Sequence, residues 1–186
     1  MDAASGPLAY PKDLLRTSLA ACTAFQQWDG HAWTSTEAAA RIYFDALPPP
    51  QAAEYTREEL ESLRPFAIIS RDERGMRWEA ESVGGLGRSY RTSGRLVVTL
   101  ERNFPSVSGE TDPHAAADRQ FENMVGALIV SNDVNSPGLL ELSGTAGYLL
   151  IRAIEEAGPF RVDPRDVPQL GDYQRHFLFV EWGRAA

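Results

Sequence analysis

Three histidines, one cysteine and a few neighbouring carboxylates are the residues of this chain whose types could do chemistry. His31, His114 and His176 are far apart in sequence, with no His-Glu-x-x-His and no Cys-x-x-Cys, so a metal site would need distant residues to converge. The lone Cys22 excludes an intrachain disulfide and a multi-cysteine zinc site. Gly84, Gly85 and Gly87 resemble a phosphate loop, but Arg88-Ser89-Tyr90 follows where Lys-Ser/Thr and a helix are required, so a mobile hairpin tip around 83–88 is expected. Glu79 and Glu81 share one strand face and could form an acid/base pair, although paired carboxylates on a solvated strand are common. Ser143-Gly144 has no Gly-x-Ser-x-Gly elbow around it. No named reaction and no cofactor emerges, and the chain is read as a non-enzyme.

Charge is more informative. The 186 residues carry a formal charge of −8, and Lys12 is the single lysine among 18 basic residues. From Arg64 to Arg102 there are eight arginines and five acids, a local balance of +3 that leaves −11 for the remainder. This basic ribbon is read as a solvated face, as a nucleic-acid contact through Arg77, Arg88, Arg91 and Arg95 beside Trp78 and Tyr90, or as a dock for the acidic face of another copy. Arg74, Arg77, Gly85, Gly87, Arg88, Arg91 and Arg95 are the expected interface residues.

The elements that must position them are those of one α+β domain spanning 1–186, a length that buries a sufficient core without staples. No apolar run approaches a membrane span, and the first ten residues lack a signal-peptide pattern, so a cytoplasmic setting or a particle assembled there is expected. Leu14, Ser18, Ala21, Phe25 and Trp28 fall at helical spacing from Pro11 to Trp28, with Cys22 on the buried side and Asp29-Gly30 as the stop. Residues 41–47 read as a strand ended by Pro48-Pro49-Pro50, and 56–63 as a short helix capped by Thr56. Residues 64–70 and 76–82 read as two strands around a turn at Asp72-Glu73-Arg74-Gly75, and Tyr90 to Arg102 as another strand with Gly94 at a bulge or bend. Asp112-Pro113 opens a second helix with Ala117, Phe121, Met124 and Leu128 inward. Residues 148–154 suit helix or strand by periodicity, and strand is preferred; Gly158-Pro159 interrupts, and His176 opens a final strand to Trp182. The fold expected is a mostly antiparallel (mixed) sheet packed against two principal amphipathic helices.

The order of motifs carries a resemblance. Leu-Leu-x-x-x-Leu-Ala-Ala-Cys-x-Ala-Phe-Gln-x-Trp (Leu14 to Trp28) is followed by Ala40-Arg-Ile-Tyr-Phe44, Leu47-Pro48, Arg64-Pro-Phe-Ala-Ile68, Ser93-Gly94-Arg95-Leu96 and His176-Phe-Leu-Phe-Val-Glu181. This resembles the tail terminators and tail-completion (minor tail) proteins of long-tailed bacteriophages and prophages. The resemblance implies a virion protein at the tail–neck junction, assembled in the bacterial host cytoplasm. It implies a homo-hexameric ring that ends tail-tube polymerisation and meets a tail tube protein and a head-completion or neck protein. Gene transfer agents use similar parts. It implies no cofactor and offers no catalytic residues. DNA would pass through the lumen unbound, as a net negative bore favours. The alternative reading is a nucleic-acid or small-ligand binding module using the Arg-rich 71–95 segment.

Overall fold

A computed structural model describes residues 9–50, 52–83, 87–105, 111–163, 165 and 170–184. The elements are α1 (Ala9–Ala21), α2 (Thr23–Gln26), α3 (Ser35–Ala39), β1 (Ile42–Phe44), α4 (Arg57–Leu63), β2 (Phe66–Val83), β3 (Gly87–Asn103), α5 (Pro113–Ile129), α6 (Leu139–Leu142), β4 (Ile151–Val162) and β5 (Tyr173–Arg184). Five strands form one sheet in the order β1-β2-β3-β5-β4. Only β1 with β2 is parallel; the other pairings are antiparallel. The expected α+β class, with a mostly antiparallel sheet, is what the chain adopts.

Alternation along the strands sorts the sheet into two faces. Ile69, Val98, Leu178 and Val180 point to the helix layer and meet Leu15, Leu19, Phe25, Trp28, Phe121, Val125 and Leu128 in one continuous core. Burying each such side chain contributes about 1.5–3 kcal/mol before ordering entropy is subtracted. The two longest helices, α1 and α5, supply most of the helical side. α5 starts as expected: the Asp112 carboxylate accepts from the backbone N–H groups of His114 and Ala115, and Pro113 takes the first turn. Thr56 likewise caps α4 in a reciprocal box with Glu59.

Several boundaries differ from the sequence reading. The helix expected from Pro11 to Trp28 breaks at Cys22, whose backbone is extended (φ −71°, ψ 124°), and α2 ends at Gln26. At the break Gln26 Nε2 donates to Ala20 O at 2.8 Å, and the Cys22 N–H donates to Leu19 O at 3.2 Å. Phe25 and Trp28 are then both fully buried. The turn expected at 72–75 is not a reversal. β2 runs through it, with a register shift between Arg71 and Met76, Gly75 at φ 70° and the Arg74 N–H on Asp72 Oδ1. Gly94 is therefore not the bulge but faces it: a Cβ there would lie 3.2 Å from Gly75 O and from the Trp182 indole. Gly158-Pro159 does not end β4, which absorbs the pair in a second register shift and continues to Val162. Strand is right for 151–154, while 148–150 lie outside it. The short helices α3 and α6 were not expected.

Candidate interaction surface

The arginine ribbon divides when folded. Arg64, Arg95 and Arg102 are buried, whereas Arg71, Arg74, Arg77 and Arg91 are exposed. Arg95, expected at an interface, lies on the sheet face away from the helices. Its guanidinium sits 4.5 Å from the centroid of the Phe179 ring, Nη2 donates to Glu155 Oε2 at 2.5 Å, and Nε is 3.3 Å from Asp72 Oδ2. Arg64 stacks 4.0 Å from the Tyr173 ring centroid and reaches Glu101, which also accepts from Arg175. Burial pulls the Arg64 and Arg102 guanidinium groups below their ordinary range, and the neighbouring carboxylates Glu101 and Asp29 oppose it. The basic surface expected from the sequence is thus partly consumed inside the fold. That could not be read from local charge, because Glu101, Glu155 and Tyr173 arrive from distant strands.

The expected interface residues that stay outward cluster on and below one hairpin. Arg74 is in the bulge, and Arg77 Nη2 meets Glu79 Oε1 at 2.6 Å on an exposed stretch of β2. Glu79 therefore has a cation beside it on the strand; Glu81 and Arg88 have side chains outside those described. Arg91 lies opposite Glu79 in the register, and Gly87 opposite Val83. Of the mobile tip expected around 83–88, residues 84–86 with Gly85 lie outside the described residues, whereas Val83, Gly87 and Arg88 are paired strand.

Among the described residues, β5 pairs with β3 as far as Thr92, opposite Arg184, while β2 and β3 stay paired from Glu79–Arg91 to Val83–Gly87. Those five rows give a two-stranded arm of roughly 15 Å at about 3.4 Å per residue. Below it, the sheet face opposite the helices carries half-buried Phe177 and Phe179 and exposed Phe160, with ring centroids 5.9 Å (Phe160–Phe177) and 6.4 Å (Phe177–Phe179) apart. This aromatic row was quoted in the sequence as a strand; its outward direction required the register.

The histidines do not converge. His31 stacks on Trp33 at 4.4 Å between centroids, and His114 is exposed against Arg161. His176, expected to open the last strand, lies inside β5, 1% exposed and edge-on to Phe121. Among the described residues no group of three or more His, Cys, Asp or Glu could hold a metal ion, and no helix is long and apolar enough to cross a membrane. Burial pushes the Cys22 thiol up to about 12, which makes it unreactive.

No family model matches the chain, and no curated protein matches it in sequence.

Proposed function

We propose that the chain is a ring-forming structural subunit of a phage-type tail–neck junction, ending tube growth and presenting a docking surface to the neck. The observation that carries this reading is the β2–β3 arm. Among the described residues no third strand accompanies it there, and a two-stranded ribbon is marginal by itself and gains stability when another surface covers it. Ordering the arm on a correctly placed neighbour makes assembly sequential, because the entropy is lost only there. Its mixed charges, with Arg77 and Arg91 beside Glu79, suit a protein partner better than a phosphate backbone, which favours uninterrupted basic surface. The chain's total of −8 fits a bore through which DNA slides.

The test is particle mass and shape. Light scattering and negative-stain microscopy, on the protein alone and on purified tail tubes, should give closed rings in at least one setting. The Arg88→Glu/Arg91→Glu variant should keep native circular dichroism and lose rings. A strict monomer that never joins tubes, or salt-sensitive capture of single-stranded DNA by that monomer, removes the reading.

A further inference from the structure

We infer that copies of this chain join through the two lateral edges of one sheet, β4 of one copy pairing with the outer edge of β2 in the next. The inference rests on the ring reading above and names its contact.

The strand order leaves those two edges open. β4 ends the sheet on one side. On the other, β1 covers only Ala67, Ile68 and Ile69 of β2, so β2 from Ser70 to Val83 has no partner on its outer edge among the described residues. Unpaired N–H and C=O groups along a strand template another strand, and proteins that avoid this blunt their edges. β1 does so for three residues only. On β4 the register shifts at Ile151/Ala153 and Ala157/Phe160 leave an unbroken stretch at 153–157. On β2 the regular register resumes at Met76 and runs to Val83.

Direction agrees. β2 is antiparallel to β3, β3 to β5, and β5 to β4, so β2 and β4 run oppositely within one subunit. A second copy in the same orientation therefore meets β4 with an antiparallel β2, the more stable pairing. Same-orientation copies joined by two different surfaces are what a closed ring needs. Arg77 on the open stretch of β2 and Glu155 and Glu156 on that of β4 are exposed, so both edges are within reach of a chemical probe. Because β1 occupies the first rows of β2, neighbours join with a stagger, which inclines the strands to the ring axis as closed sheets require.

Buried, unreactive Cys22 permits a direct test. The double variants Arg77→Cys/Glu155→Cys and Arg77→Cys/Glu156→Cys place one thiol at each edge, on either sheet face. Each is assembled into rings, checked by circular dichroism and treated with a short bismaleimide. A ladder of covalent trimers and larger species is expected from at least one double variant, and none beyond dimer from the single variants. Rings that yield no species above dimer in either double variant overturn the edge contact and leave the ring reading standing. No rings, alone or on tubes, overturn both.

Discussion

Arg102 Nη1 donates to Asp29 Oδ1 at 3.1 Å, tying β3 to the turn that ends the N-terminal helical segment. Asp29 holds a left-handed backbone (φ 51°), and Arg102 also donates to Ala117 O of α5 and to Gln174 Oε1 of β5. One guanidinium thus fixes the first segment, α5 and two strands. Arg102→Met leaves buried acceptors without their donor and should cost about 3–5 kcal/mol, read from urea midpoints. Asp29→Asn keeps an acceptor oxygen and should cost less. The double variant should fall short of the sum of the two, because the lost contacts are shared.

Acid should weaken the fold through His176. Burial lowers its pKa below the ordinary 6.5, and the Glu156 and Glu122 carboxylates, from β4 and α5, oppose that shift. The unfolded chain therefore takes up the proton first. Stability from this group is present above about 6.5 and is lost as pH falls below that value toward the folded pKa. Nε2 is 3.3 Å from Glu156 Oε2, and among the described residues Nδ1 has no hydrogen-bond partner. His176→Phe should leave stability at pH 7.5 equal or higher and flatten its decline between pH 7 and 5. An unchanged decline in urea midpoint would assign the acid sensitivity elsewhere.

How much of this was legible in the sequence depended on whether the deciding partner was local. The Asp112-Pro113 start, the Thr56 cap and the Leu96-Val98-Leu100 alternation are decided within a few residues, and each stands where the pattern puts it. The failures had distant causes. Asp72 to Gly75 carries turn residues, but β3 pairs on both sides of them, so a bulge replaced a reversal. Gly158-Pro159 reads as a stop, yet β5 continues alongside it. Arg64, Arg95 and Arg102 counted as surface charge until Glu101, Glu155, Asp29 and Tyr173 were folded against them. The arm depended on which described rows of β3 pair with β5, which nothing within the hairpin sequence specifies.

Native protein should resist thiol reagents. Cys22 is fully buried, and its Sγ donates to Ser18 O at 3.2 Å. With its pKa pushed up to about 12, almost no thiolate exists at pH 8. A disulfide reagent should titrate no thiol in the folded chain and one per chain in denaturant. Rapid labelling of the folded protein would show that the α1–α2 junction opens.

Two glycines at crowded positions should respond differently to alanine. A Cβ on Gly138 would lie 2.8 Å from Ile129 O, a backbone atom at the end of α5. It cannot step aside, because Glu141 grips the same loop by accepting from the N–H groups of Ser131, Asn132 and Gly138. A Cβ on Gly183 would also collide, but with the guanidinium end of Arg152, an exposed and flexible side chain. Gly138→Ala should therefore cost about 1–3 kcal/mol, the usual range for overpacking, while Gly183→Ala should change stability by less than about 0.5 kcal/mol. Thermal and urea unfolding of the two variants side by side decides it. Equal losses would mean that Arg152 is held as firmly as the backbone and packs β4 against β5.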